Sequence, residues 1–223
     1  MSNRAYLSLW SKDFSEAVML DRFGKLLETV PLSATWPGFD MLTVRGVSPD
    51  EAPLVERDLR AAPVSAEEVI ELARECPHAD CSYEVEARWD LWTYDAEKDE
   101  WVLGPQRLEI LCLGDEYDDE AWREVGHFWI HAGFEHLFTG HAGLLGAAPS
   151  EFAPADPAES EFLERMRRPA SLSDYRQKTQ DNIRKLMGWV ERIDRALPLD
   201  RWQLWSEGEA NFEARMESIL AGR

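Results

Sequence analysis

Residues 82–94 read SYEVEARWDLWTY and alternate between apolar and polar side chains, with Trp92 as the one large apolar residue on the polar side. The apolar set begins at Tyr83 and includes Trp89. Because successive side chains of a strand point to opposite faces, this period of two predicts a strand with one buried and one solvated face. The polar residues 95–100 then turn the chain into a second apolar run, residues 101–113. The pattern therefore predicts a β-hairpin with a long turn.

Glycine and proline modify the pattern after the turn. Gly104 and Pro105 fall inside the second apolar run, so we expect that strand to be interrupted there. Residues 126–131 read GHFWIH and predict a third strand, since the glycines at 126 and 133 disfavour a long helix. The middle of the chain is therefore expected to form an antiparallel sheet.

The residues before the hairpin alternate between strand and helix patterns. Residues 4–10 and 39–47 are rich in apolar and aromatic residues and predict two strands. Residues 14–30 place apolar side chains three and four apart, which predicts an amphipathic helix that ends before Pro31. Residues 48–51, SPDE, have the form of a helix start, with a serine cap and a proline at the first position.

A second capping box introduces a helix directly before the hairpin. Ser65 and Glu68 have the spacing in which each side chain bonds the other residue's backbone N–H. The apolar residues that follow predict a helix to about Cys76, where Pro77 ends it. This helix is expected to lead into the first strand of the hairpin.

The last third of the chain has helical periodicity only. Three helices are expected: a short one from about 157 to 169, a long one over residues 173–197, and a last one from about Ser206. Their apolar stripes are too narrow to stand alone, so the helices should pack on the sheet or, in a homodimer, on a second subunit. The fold class that follows is α+β, with a mostly antiparallel sheet, helices packed on one of its faces, and a C-terminal segment of about three helices.

Glycine, alanine and proline concentrate between the sheet and the helical tail. We therefore expect an acidic α+β domain over residues 1–145, a linker over residues 146–157, and a helical segment over residues 158–223 packed on the first domain.

Acidic charge lies entirely on the first part of the chain. Residues 1–156 carry 31 Asp and Glu against 12 Lys and Arg, whereas residues 157–223 carry 12 against 12. A net charge of −19 repels phosphate backbones and anionic lipid, which argues against nucleic-acid and membrane binding, and it would attract a basic protein partner. Three cysteines and the lack of a long apolar stretch predict a cytoplasmic protein.

Four of the five histidines lie within residues 127–141, and three of them, with one glutamate, form the first candidate site. His127 and His131 point to the same face of a strand, and Glu135 and His136 follow closely. Imidazole and carboxylate groups are common ligands of zinc and other divalent metals. These four residues are therefore the candidate ligands of a divalent metal, with satisfied structural histidines as the alternative.

Two other segments contain groups that could hold a cation. Cys76 and Cys81 flank a histidine and an aspartate, which gives half of a zinc site that Cys112 or a later histidine would have to complete. Residues 115–120, DEYDDE, offer five carboxylates but lack the pattern of a calcium loop. An aspartate at 118 or 119 is expected instead to cap a short helix through Trp122.

Tryptophan is abundant, with ten residues, and several lie on polar faces or at segment edges where something must cover the ring. Together with the acidic loop they supply the candidate binding residues, which are Trp92, Trp101, Asp115, Glu116, Asp118 and Asp119.

No nucleophile elbow, phosphate-binding loop or dinucleotide fingerprint is present, and no catalytic residue is assigned. The sequence therefore favours a non-catalytic acidic binding protein of the immunity, antitoxin or adaptor type, without a cofactor, that captures a basic protein. One alternative is a metal-dependent hydrolase or oxidoreductase that uses His127, His131 and His136. A second alternative is a small-molecule sensor whose pocket lies between the sheet and the long helix and is lined by Trp and Tyr.

Overall fold

A computed structural model describes residues 3–146 and 157–222. The strands are β1 (Arg4–Ser11), β2 (Phe39–Gly46), β3 (Val55–Asp58), β4 (Cys81–Asp95), β5 (Glu100–Leu113), β6 (Phe128–Phe134) and β7 (Leu199–Ser206). The helices are α1 (Glu16–Glu28), α2 (Ala66–Ala73), α3 (Trp122–Val125), α4 (His136–Thr139), α5 (Pro157–Met166), α6 (Pro169–Ala196) and α7 (Phe212–Leu220), with 3-10 turns at Tyr117–Glu120 and His141–Gly143.

All seven strands belong to one antiparallel sheet in the order β3-β2-β4-β5-β6-β1-β7. The predicted α+β class with an antiparallel sheet is confirmed. Within the part of the chain that the structure describes, no helix is both long and apolar enough to cross a bilayer.

The core follows the alternation of β4. Its odd-numbered side chains from Tyr83 to Leu91 are fully buried, whereas Glu84 and Glu86 on the other face are partly exposed. Buried residues of α1, α2, α6 and α7 join the same core, among them Phe23 and Leu186. Burying one large apolar side chain stabilises the fold by about 1.5–3 kcal/mol, so this face of the sheet contributes much of the stability.

The second hairpin strand is continuous, and the predicted interruption at Gly104 and Pro105 is wrong. Pro105 pairs with Asp90 in an unbroken register over the whole of β5. β6 pairs with β5 only over Glu109–Cys112, so Pro105 lies in a stretch whose other side has no strand. A proline is tolerated there because the missing N–H is not needed for a second ladder.

Two edge strands were not predicted. β3 is only four residues long and pairs with β2, and β7 pairs with β1 along Ala5–Ser11. The last helix begins at Phe212 and not near Ser206, because residues up to Ser206 extend the sheet. β7 is an edge strand, and buried and exposed residues do not alternate regularly along it. Its sequence therefore lacks the alternation that would have predicted a strand.

The predicted helix start at residues 48–51 is also wrong. These residues form the turn that joins β2 to β3, in which the Ser48 N–H donates to the Gly46 carbonyl and the Leu54 N–H to the Val44 carbonyl. Serine and proline favour turns as well as helix starts, and here Pro53 prevents a helix from continuing.

The C-terminal part of the chain contributes three helices and β7, which forms an edge of the common sheet. The predicted linker over residues 146–157 lies almost wholly outside the described residues.

Candidate binding cleft

The β4–β5 hairpin extends beyond the strands that flank it. β2 pairs with β4 only as far as Ala87, and β6 pairs with β5 only from Glu109 onward. Between these points Leu32 makes a single bridge to Trp89. On the β4 side, this projecting end of the hairpin packs against α6 and α4.

Asn182 of α6 covers the free edge of β4. Its Oδ1 accepts a hydrogen bond from the Trp92 N–H at 2.8 Å, and its Nδ2 donates to the carbonyls of Trp92 at 3.0 Å and of Leu137 at 3.1 Å. Lys185 Nζ, one turn further on, donates to the carbonyl of Asp90 at 2.8 Å. Asn182 is 3% exposed, so its three bonds replace strand pairing in a buried position and join β4, α4 and α6.

A cleft of about 490 Å³ lies between the hairpin end and the helices α4, α5 and α6. This volume is within the range of sites that hold small organic molecules. Aromatic and hydrogen-bonding side chains predominate in its lining, which consists of Trp92, Thr93, Tyr94, Ala96, Trp101, His136, Leu137, His141, Glu159, Phe162, Tyr175, Thr179 and Asn182.

Four aromatic rings form a continuous wall of the cleft. Trp101 stacks on Tyr175 with 5.3 Å between ring centroids, and Tyr94 meets Trp101 edge-on at 5.4 Å. Phe162 of α5 completes the circuit at 5.5 Å from Tyr94 and 6.2 Å from Tyr175. Contacts of this geometry stabilise the wall beyond simple burial, so the apolar surface is already assembled.

A histidine–carboxylate pair lies beside this wall. The Nε2 of His141 is 2.6 Å from Oε1 of Glu159, which ties the turn after α4 to α5. The backbone N–H of His141 donates to the hydroxyl oxygen of Tyr175 at 2.6 Å. Burial raises the pKa of Tyr175 to about 12, so its hydroxyl stays protonated at neutral pH.

Two neutral polar groups in the lining have no protein partner. Burial, with a contribution from His141, lowers the pKa of His136 to about 4, so the imidazole is uncharged at neutral pH. Its ring nitrogens make no hydrogen bond to any described residue. The hydroxyl of Thr179, a residue that is 3% exposed, likewise lacks a partner among the described residues. Both groups are available to a ligand.

The cations near the cleft are engaged. Arg165 of α5 donates to the Tyr94 hydroxyl at 2.9 Å and to Asp99 at 2.5 Å. Tyr94 is also hydrogen-bonded to Asp99. Lys178 Nζ lies 3.4 Å from the ring centroid of Trp92, in a cation–π contact.

Three of the residues selected from the sequence, Trp92, Trp101 and His136, are thus brought together in the cleft. Tyr175, Thr179 and Asn182 were not selected, although a signal exists. Residues 175, 179 and 182 continue, at spacings of four and three, the buried stripe of α6 that includes Leu186. Polar side chains that continue an apolar stripe indicate either an internal hydrogen bond, as for Asn182, or a site, as for Thr179.

His127 lies in a different environment, outside the cleft. Its ring is stacked between Phe14 at 4.2 Å and Trp122 at 4.3 Å, and its Nδ1 accepts a hydrogen bond from the Ser11 N–H at 3.0 Å. Burial lowers the pKa of His127 to about 4. The geometry is that of a neutral structural histidine.

His131 and Glu135 occupy two further places. The Nδ1 of His131 is 2.6 Å from Oε2 of Glu109 on the sheet face, and this contact lowers the pKa of Glu109. Glu135 accepts a hydrogen bond from the Gly208 N–H at 2.9 Å. The four predicted metal ligands therefore do not converge, and among the described residues no group of three or more His, Cys, Asp or Glu could hold a metal ion.

The cysteines of the predicted half-site have structural roles. Cys81 and Cys112 are buried in the core, and Cys76 is partly exposed. Burial raises the pKa of the Cys81 thiol to about 12 and also raises that of Cys112, so both remain thiols. The carbonyl of Cys76 accepts a hydrogen bond from the Tyr83 hydroxyl at 2.7 Å.

The acidic loop is a surface feature. Glu116, Asp118 and Asp119 are exposed, whereas Asp115 is partly buried and has a pKa that burial and the neighbouring Glu116 raise. Neither Asp118 nor Asp119 caps a helix, because both have left-handed backbone angles, with φ of 49° and 51°. The Asp118 N–H instead donates to the carbonyl of Val47 at 2.8 Å, which holds the loop against the β2–β3 turn.

The hairpin and three helices surround the cleft, one wall is aromatic, and two neutral polar groups in the lining have no partner among the described residues. These features are typical of sites that hold small organic molecules. The arrangement contains no nucleophile activated by a base among the described residues. No protein-family model, no curated protein and no solved structure matches the chain.

Proposed function

We propose that the protein binds a small organic molecule in the cleft between the β4–β5 hairpin and α6, as a sensor or carrier would. The observation that supports this proposal is the pair of groups without partners, His136 and Thr179, in a cleft otherwise lined by rings. Both groups line the cleft, so a ligand placed there could hydrogen-bond to them without displacing a protein partner. The aromatic wall would supply most of the contact area.

Removing one ring of the wall should abolish binding. We expect compounds that raise the melting temperature of the wild type by about 2 °C or more to leave Trp101→Leu unchanged, because the stacked Trp101–Tyr175 surface is lost. The measurement is a thermal-shift screen of metabolites against both proteins, followed by calorimetric titration of the hits.

Trp202→Leu is the matched control, since Trp202 is also partly buried but lies in β7, away from the cleft. Every hit should stabilise this variant as it stabilises the wild type. A screen without any stabilising compound, or hits that act equally on Trp101→Leu, would contradict the proposal.

A second candidate function, capture of a basic protein, is favoured by the surface around the acidic loop. Val47 and Leu54 are 60% and 59% exposed, and Val47 is bonded to the loop through Asp118. The turn that carries these exposed apolar side chains is bonded to a loop with exposed carboxylates at Glu116 and Asp119, and apolar and charged groups occur together in protein interfaces.

Charge reversal tests this second candidate. We expect a basic protein that the wild type retains from the host extract at low salt to be lost with Glu116→Lys/Asp119→Lys, because complementary charge drives its association. The double variant Glu67→Lys/Glu71→Lys on α2 makes the same change in net charge at exposed positions and should retain the partner. Equal loss with both variants would point to net charge alone and contradict a specific surface.

A further inference from the structure

The charged groups around the cleft already contact other groups of the protein. Glu159 contacts His141, Arg165 contacts Asp99, and Lys178 lies over the Trp92 ring. A ligand with a full charge would have to break one of these contacts or remain in the cleft without a counter-ion. Either outcome is unfavourable, because a charge removed from water is costly unless it is paired.

The overall charge of the protein additionally disfavours anionic ligands. A net charge of −19 repels anions as they approach the cleft. Cations are attracted at long range, but Glu159, the carboxylate that lines the cleft, already contacts His141. Arg165 and Lys178 contact the lining residues Tyr94 and Trp92 and add positive charge beside the cleft. The local arrangement therefore favours neither sign of charge.

The groups that remain available are hydrogen-bonding groups without charge. A neutral imidazole offers one donor and one acceptor at His136, and a hydroxyl offers both at Thr179. These groups match hydroxyl, carbonyl, ring N–H or amide groups on a ligand. Trp101 is partly exposed and stacks at 25° on the buried ring of Tyr175, so its ring presents a flat surface against which another ring can pack.

Resting on the proposed function, we infer that the ligand is an uncharged aromatic or heteroaromatic molecule, packed against the Trp101–Tyr175 wall and hydrogen-bonded to His136 and Thr179. Charged analogues of the same ring are discriminated against because no group in the cleft is available to neutralise them.

Three probes with the same ring separate charge from shape. Indole-3-ethanol is neutral, tryptamine is a cation and indole-3-acetate is an anion at pH 7.5. We expect indole-3-ethanol to bind the wild-type protein at least tenfold more tightly than either charged probe, as measured by isothermal titration calorimetry and by saturation-transfer NMR. Thr179→Val, which keeps the shape of the side chain, and His136→Phe, which keeps a ring, should each weaken indole-3-ethanol about fivefold.

The outcomes separate the existence of a binding site from the charge of its ligand. Tighter binding of tryptamine or indole-3-acetate, lost in Trp101→Leu, would overturn the inference about charge while supporting the cleft as a binding site. Unchanged affinity of indole-3-ethanol in both Thr179→Val and His136→Phe would overturn the assigned hydrogen bonds. Failure of all three probes to bind at millimolar concentration would overturn the inference and count against the proposed function as well.

Discussion

Replacing Gly126 with alanine is expected to lower the free energy of unfolding by about 4 kcal/mol. Gly126 ends α3 with φ of 94° and ψ of 158°, a conformation that only glycine adopts without strain. An added Cβ would lie 2.7 Å from both the backbone nitrogen and the carbonyl oxygen of Leu9 in β1, well inside van der Waals contact. Backbone of a central strand cannot move aside, so the β1–β6 pairing must distort. Urea unfolding followed by tryptophan fluorescence measures the loss.

Gly188→Ala is the matched control for this prediction. Gly188 lies within α6, and a Cβ added there would meet no heavy atom within 4 Å. Because alanine favours a helix interior more than glycine does, we expect this variant to gain about 0.5–1 kcal/mol. A Gly126→Ala protein as stable as the wild type would show that β1 and the turn before β6 can relax, contrary to the geometry.

The sequence predicted those parts of the fold that depend on local periodicity. The alternation of residues 82–94 and the three-four spacing in α6 each bury one face, so pattern and structure agree. The capping box of α2 is also present, with Ser65 and Glu68 bonded reciprocally. β3 and β7 escaped prediction because an edge strand is held by backbone pairing with a partner far along the chain, and local pattern does not encode that pairing.

The sequence identified several residues of the candidate site but not how they are arranged in space. Trp92 and Trp101 were selected because their rings needed cover, and both line the cleft. His131 and His136 were grouped by sequence distance, but β6 ends between them at Phe134, so His131 stays on the sheet face while His136 enters the cleft with α4. Their separation depends on where a strand ends, and the presence of His136 and Tyr175 in one cleft depends on how α6 crosses the hairpin.

Replacing Asn182 with aspartate should lower the free energy of unfolding at pH 8 by about 3 kcal/mol. The two side chains have nearly the same shape, so packing is preserved. An aspartate oxygen can still accept from the Trp92 N–H, but the other oxygen would face the carbonyls of Trp92 and Leu137, to which Asn182 now donates. Two buried acceptors would lose their donor, and a negative charge would lie beside them. Urea unfolding of both proteins measures this loss.

The dependence of this loss on pH separates it from a general defect. Burial beside two carbonyls would raise the pKa of the new carboxyl in the folded state above its unfolded value of about 3.9. The penalty is then fully present above the folded pKa and decreases as the pH falls, because protonation of the carboxyl restores one donor. The difference from the wild type should therefore be smaller at pH 5 than at pH 8. Asp181→Asn makes the opposite exchange on the solvent side of α6, where Asp181 pairs with Arg184, and should change stability by less than about 0.5 kcal/mol at either pH. A deficit in the Asn182→Asp protein that does not vary with pH would mean that the amide donors do not hold the hairpin to α6.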